Sequence, residues 1–154
     1  MIKYVKGDLL DSHCDYICHQ VNCRGVMGSG IAKQIRERFP EVYDSYKELC
    51  NEFEPEVLLG TIDIVEVEEG AREIVNIFGQ LDYGRDGKKY TSYDAFANAL
   101  DLIDAYVPED WSIGFPKYIG CGLGGGNWNI IVNMIEEILD SHVSRDIYIY
   151  ELEG

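Results

Sequence analysis

The stretch CRGVMGSGIAKQIRERF carries Gly25, Gly28 and Gly30 just ahead of a helical hydrophobic pattern. Glycine, lacking a Cβ, lets a loop take positive φ and brings main-chain N–H groups within hydrogen-bonding distance of a ligand. A helix that follows at once adds unpaired N–H donors and the positive end of its dipole. The stretch can therefore cradle an anion, although a tight strand-to-helix turn would use the same residues. It is not a Walker A loop, since Lys33 lies three residues past the last glycine with no Ser or Thr behind it. Nor is it the dinucleotide fingerprint, whose G-x-G-x-x-G order is inverted here. A second cluster, PKYIGCGLGGGNW, holds Gly120, Gly122, Gly124, Gly125 and Gly126 within seven residues and again leads from an apolar run into a helical pattern. Ligands of α/β sheets sit beyond the carboxyl ends of the strands. Two such loops can grip one extended, doubly charged group from both sides, and a diphosphate fits.

Few other side chains invite chemistry. In ICHQVN, strand alternation puts Ile17, His19 and Val21 on one face, where a histidine either packs in the core or moves a proton, and both readings stand. His13, Cys14, Cys18, His19 and Cys23 fall within eleven residues. Cys18 and His19, however, are strand neighbours that face opposite ways and cannot ligate one ion, so no metal is expected. Cys121 sits inside the second glycine loop without an identifiable activating partner. YGRDGKKY, Tyr83 to Tyr90, gathers Arg85, Lys88 and Lys89 around an Asp86-Gly87 turn signal and reads first as a solvated loop.

The hydrophobic period supplies the frame for these residues. β-like runs occur at Ile2 to Val5, Tyr16 to Val21, Thr61 to Val67, Glu73 to Phe78, Ser112 to Phe115 and Asp146 to Leu152. Between them lie four helical stripes: Ile31, Ile35 and Phe39; Val42, Tyr46, Leu49, Cys50 and Phe53; Phe96, Leu100, Ile103 and Val107; and a wide face of Ile130, Ile131, Met134, Ile135, Ile138 and Leu139. Strands alternating with helices predict a three-layer α/β/α fold. The 154 residues, without repeats, low-complexity segments or linkers, predict one domain over 1–154.

Composition narrows the partners. Against 13 Lys and Arg stand 28 Asp and Glu, a net charge of −15, which repels a nucleic-acid backbone over most of the surface. No apolar run approaches the ~18 residues of a membrane span and no secretory signal is visible. The five cysteines form no disulfide framework. A cytoplasmic protein with reduced thiols, no membrane contact and no cofactor is expected.

Taken together, VKGDLL, HQVNCRGVMGSGIA, NIFGQ and PKYIGCGLGGGNW, in that order along nearly the whole chain, resemble a macro domain. Within that family the chain is similar to the compact branch of ADP-ribose-1″-phosphate phosphatases and the terminal ADP-ribose glycohydrolase. The resemblance implies a mixed, roughly six-stranded sheet between helices, with ADP-ribose or a derivative in a cleft at the strand ends and ADP-ribosylated macromolecules as further partners. Asp8 matches the acid that accepts the adenine amino group, beside the Leu9 N–H. Gly28, Ser29, Gly30 and Ile31 match the first loop around the diphosphate and distal ribose, and Gly120, Cys121, Gly122, Leu123 and Gly124 match the second. Leu152, on the closing strand, matches the edge flanking adenine. Asn22 matches a polar position near the distal ribose, and His19 a histidine of the phosphatase branch eight residues before the loop methionine, here Met27; these two are the expected catalytic residues. In this setting the Arg85 to Lys89 loop has a second reading, as a lid whose cation meets a terminal phosphate.

The chain also departs from the pattern. The lysine nucleophile and the acid of the terminal glycohydrolase fall on Gly79 or Gln80 and on Gly124, and Asn127 replaces the aspartate of the GGDW found in many relatives. The expected function is ADP-ribose binding with metal-free hydrolysis of ADP-ribose-1″-phosphate to ADP-ribose. The alternatives are a non-catalytic binder of free or protein-linked ADP-ribose, and a hydrolase removing ADP-ribose from protein or nucleic acid.

Overall fold

The computed structural model describes residues 2–152. Six strands, β1 (Ile2–Lys6), β2 (Tyr16–Asn22), β3 (Ile62–Val67), β4 (Arg72–Gln80), β5 (Ile113–Pro116) and β6 (Ile147–Glu151), make one sheet in the order β1-β6-β5-β2-β4-β3. β3 lies antiparallel on β4 at one edge and every other pairing is parallel. Each of the six apolar runs has become a strand, and the sheet is mixed as expected.

Helices cover both faces. α1 (Gly30–Arg38), α2 (Pro40–Glu52) and the one-turn α3 (Pro55–Leu58) lie on one side, and α4 (Tyr93–Tyr106) and α5 (Trp128–Leu139) on the other. A parallel strand buried on both faces must be apolar on both, and β2 shows it. Ile17 and Val21 enter the core under α1 and α2, whereas Cys18 enters the core under α4 and α5. In α4, Phe96, Ala99, Leu100 and Ile103 are fully buried, and Ser92 caps the helix by accepting from the Ala95 N–H at 3.2 Å. The apolar face of α5 is narrower than its sequence predicts. Ile131, Ile135 and Leu139 form the buried line at four-residue spacing, while Ile130 falls off it and is 42% exposed. Among the described residues no helix is long and apolar enough to cross a membrane.

Because five strands point the same way, their C-terminal ends share one rim. Both glycine loops hang from it, the first after β2 and the second after β5.

Candidate functional site

A cleft follows that rim, and each of the five parallel strands contributes to it. β1 leads into Gly7, Asp8 and Leu9; β2 supplies Gln20 and then Ser29, Gly30 and Ile31; β4 ends in Gln80; β5 leads into Gly120, Gly122, Leu123 and Gly124; β6 brings Tyr150 and Leu152. This lobe encloses about 780 Å³. A second lobe of about 520 Å³ opens beyond Ser29 and Leu123, lined by Asn22, Val26, Gly28, Tyr83 and Arg85 among others. Ser29, Gln20, Gln80, Arg85 and Leu123 border both lobes.

The first loop is held open from below. Asn22 Oδ1 accepts from the Arg24 N–H at 2.9 Å, and its Nδ2 donates to the Val26 carbonyl at 2.8 Å, which closes a turn around its own side chain. The Tyr46 hydroxyl, reaching up from α2, accepts from the Gly25 and Val26 N–H groups at 3.1 Å each and faces Asn22 Oδ1 at 2.8 Å. Asn22 therefore borders the second lobe as the organiser of the loop, with its amide already occupied. Tyr46→Phe should cost about 1 to 3 kcal/mol of stability, because the buried Gly25 N–H loses its acceptor. Urea unfolding measures it, and a variant as stable as wild type would show that the loop holds itself.

Beyond this turn α1 begins without a cap. Ser29 stands at the capping position, yet its side chain makes no capping bond, whereas Ser92 and Asn127 cap α4 and α5. The first-turn N–H groups of α1 thus have no side-chain acceptor from Ser29, and Gly30 and Ile31 border the cleft where they lie. Across the neck, the second loop folds on itself through Gly126 N–H to Gly120 O at 2.8 Å and Gly125 N–H to Gly122 O at 3.1 Å. Tyr118, at φ 68°, holds a left-handed conformation uncommon for a side chain of its size at the turn between β5 and this loop.

Asp8 shapes its own turn and borders the cleft. Its Oδ1 accepts from the Leu10 N–H at 2.9 Å and so caps a one-turn 3₁₀ helix, Leu9–Asp11, while the residue also borders the first lobe. Leu9 lies beside it with a buried side chain.

Two expected residues fall outside the cleft. His19 lies at the middle of β2, completely buried, and borders neither lobe. Its Nε2 pairs with Asn76 Oδ1 of β4, Asn76 Nδ2 donates to Asp63 Oδ2 at 3.3 Å, and Ser45 on α2 donates to the same oxygen at 2.9 Å. The expectation that His19 stands at the strand end and assists catalysis is corrected: the alternation that sets it with Ile17 and Val21 turns it into the core beneath α2. Burial pushes its pKa down to about 4, with the Asn76 bond opposing. Cys121 also leaves the lining, since its side chain packs against the core under α4 and α5 and its thiol donates to the Ile119 carbonyl at 3.3 Å. Burial raises the Cys121 pKa, away from thiolate character.

The sequence reading missed a polar floor. Gln20 Nε2 donates to Gln80 Oε1 at 2.7 Å and to Thr91 Oγ1 at 2.8 Å, and the Thr91 hydroxyl donates to the Gly120 carbonyl at 2.7 Å. Its signal was present in the same alternation, which faces Gln20 away from His19. The floor also fills the space beside two of the positions where the chain departs from the family pattern, Gly79 and Gly124. A Cβ at Gly79 would lie 2.2 Å from Gln20 Oε1, and one at Gly124 would lie 2.6 Å from Thr91 Oγ1 and 2.7 Å from Gly120 O.

The family model of the Macro domain matches residues 18–135. A DNA ADP-ribosyl glycohydrolase of Mycobacterium tuberculosis is 31% identical over 157 residues, covering 100% of this chain and 43% of that protein. An ADP-ribose 1″-phosphate phosphatase of Scheffersomyces stipitis is 42% identical over 73 residues, which is 42% of either chain. The chain thus spans well under half the length of the glycohydrolase. Among solved structures, the macrodomain of Mycobacterium tuberculosis DarG superposes with a TM-score of 0.80 at 26% identity, over 97% of each chain. By its fold, its paired glycine loops and the family model that spans both, the chain belongs to the macro domain family.

Proposed function

We propose that the cleft binds ADP-ribose in extended form and that the domain releases phosphate from ADP-ribose-1″-phosphate. The observation that carries this reading is the neck, where the uncapped N-terminus of α1 faces the second glycine loop with Asp8 at one end of the cleft and Arg85 bordering the far lobe. Adenine belongs at Asp8, the diphosphate at the neck and the distal ribose in the second lobe. Water and ADP-ribose-1″-phosphate give ADP-ribose and inorganic phosphate. Water bonds to phosphorus, the P–O bond to the ribose breaks with its electron pair going to the C1″ oxygen, and a proton of the water ends on that oxygen. The site's work is therefore to stabilise negative charge on the phosphoryl and leaving oxygens, which fixed N–H donors and a guanidinium suit. His19 has no part in this scheme. The phosphatase name of the yeast relative is consistent with it.

A second reading, binding without turnover, is favoured by the removal of His19 from the cleft and by the packing that fills Gly79 and Gly124. One experiment separates the readings: the protein is incubated in parallel with ADP-ribose-1″-phosphate, ADP-ribosylated protein and ADP-ribosylated DNA, alongside calorimetry with ADP-ribose. Phosphate release from the first substrate alone is expected. Tight ADP-ribose binding with all three substrates untouched would establish the binder.

Asp8→Asn tests the adenine end while keeping the cap, because Asn caps as well as Asp. Replacing a charged acceptor with an amide should weaken ADP-ribose binding about ten-fold, from about 1.5 kcal/mol for a hydrogen bond to a charged group. Unchanged affinity would assign Asp8 to the 3₁₀ turn alone.

A further inference from the structure

We propose that the second lobe is a phosphate-monoester subsite and that Arg85 sets its specificity, so that a ligand ending in a terminal phosphate is preferred over the same ligand ending in a hydroxyl. The proposal rests on the ADP-ribose reading above and deepens it.

Three observations carry it. First, Arg85 is the sole charged side chain among the described residues bordering the second lobe, in a chain of net charge −15. The first lobe, which Arg85 also borders, carries two carboxylates, Asp8 and Glu151, beside Lys117, which pairs with Glu151 at 3.6 Å. A lobe without carboxylates in so acidic a molecule favours an anion.

Second, the neighbouring charges of the same loop are occupied. Arg24 takes Asp82 at 3.0 Å, Lys88 lies 3.7 Å from Asp86, and Lys89 sits over the Tyr93 ring at 4.5 Å. Asp86 also accepts from the Tyr90 hydroxyl at 2.9 Å. Arg85 makes no hydrogen bond or ion pair among the described residues, and its planar fork of donors is matched to phosphate oxygens.

Third, the end of the loop is anchored, while Arg85 to Lys89 themselves stay exposed as a solvated loop predicts. The Tyr90 and Thr91 N–H groups donate to the Gly124 carbonyl at 2.7 and 2.9 Å. A Cβ at Gly125 would lie 2.8 Å from the Lys88 carbonyl, and one at Gly84 would lie 2.3 Å from the Tyr90 hydroxyl. The loop bearing Arg85 and the loop proposed to grip the diphosphate therefore form one packed unit. The loop carrying Arg85 is thereby held beside the second lobe, where a group on the distal ribose would lie.

The test compares two ligands across three proteins. Affinities of wild type, Arg85→Gln and Arg85→Lys for ADP-ribose and ADP-ribose-1″-phosphate are measured by competition with a fluorescent ADP-ribose, read within seconds of mixing. Wild type should prefer the phosphorylated ligand by about ten- to a hundred-fold, the value of one or two charge-assisted hydrogen bonds. Arg85→Gln should erase that preference and leave ADP-ribose affinity within about two-fold, while Arg85→Lys, a point charge without the fork, should keep part of it. Equal losses for both ligands in Arg85→Gln would put Arg85 on the diphosphate and overturn the proposal. Wild type binding both ligands alike would overturn it while leaving the ADP-ribose reading intact, and wild type binding neither would overturn both.

Discussion

Gly122→Val is expected to abolish measurable ADP-ribose binding in a protein that unfolds at the wild-type urea concentration. A Cβ built at Gly122 meets no protein atom within 4 Å, and the residue borders the cleft. The valine side chain therefore fits the fold and occupies the space in front of the loop, where the diphosphate is proposed to lie. If it displaces two charge-assisted hydrogen bonds of about 1.5 to 3 kcal/mol each, affinity falls by roughly 10² to 10⁴. The neighbouring glycines behave differently. Gly124→Ala and Gly126→Ala would push a methyl to 2.7 and 2.8 Å from the Gly120 carbonyl, so they should lose stability first and binding as a consequence. Cys121→Ala, whose side chain faces the core, should leave affinity near wild type. Calorimetry and urea unfolding on the four variants distinguish a glycine needed for the ligand from one needed for the turn. Native affinity in Gly122→Val would end the assignment of the diphosphate to the second loop.

What could be read from the sequence follows from how local each signal is. DIYIYEL announces a strand by alternation alone, and Ile147 and Ile149 are buried as that pattern demands, while Tyr148 and Tyr150 pack on the opposite core. The glycine loops were legible because absence of Cβ next to a helix start is a property of a few consecutive residues. His19 was not, because its surroundings come from Asn76 and Asp63, brought beside it by strand pairing across β2, β4 and β3. Arg85 is the same kind of case. Its cluster of charges is exposed as the sequence suggests, but the two backbone bonds by which Gly124, 39 positions further along the chain, holds the end of the loop are tertiary. Asn22 borders the second lobe, but its turn-forming amide depends on Tyr46 of α2. Side chains whose partners are distant in sequence are where pattern reading stops and tertiary packing decides.

His19 is expected to carry a large pH effect on stability between pH 7 and pH 5. With Nε2 committed to Asn76 Oδ1, its Nδ1 is buried with no hydrogen-bond partner. Protonating it would place a charge in an apolar core, which is why its pKa falls from 6.5 to about 4. In the unfolded chain the imidazole regains its ordinary affinity for protons. Stability from this residue is therefore fully present above pH 6.5 and is lost as the pH falls toward about 4, since across that window the unfolded state binds the extra proton. Between pH 7 and pH 5 the loss amounts to about 2 kcal/mol, and over the whole window to about 3 kcal/mol. General electrostatics push the other way, because acidification lowers the charge of −15 and relieves self-repulsion. The comparison between wild type and His19→Gln isolates the histidine. Wild type should lose stability in urea on going from pH 7 to pH 5, and the variant, less stable at pH 7, should lose about 2 kcal/mol less over the same step. Because His19 lies outside the cleft, phosphate release per folded molecule at pH 7 should stay within about three-fold of wild type. A positioned general acid or base, by contrast, would cost about 100-fold or more on removal. A variant that keeps the wild-type pH slope and loses turnover would return His19 to the reaction and require the cleft to reach through β2.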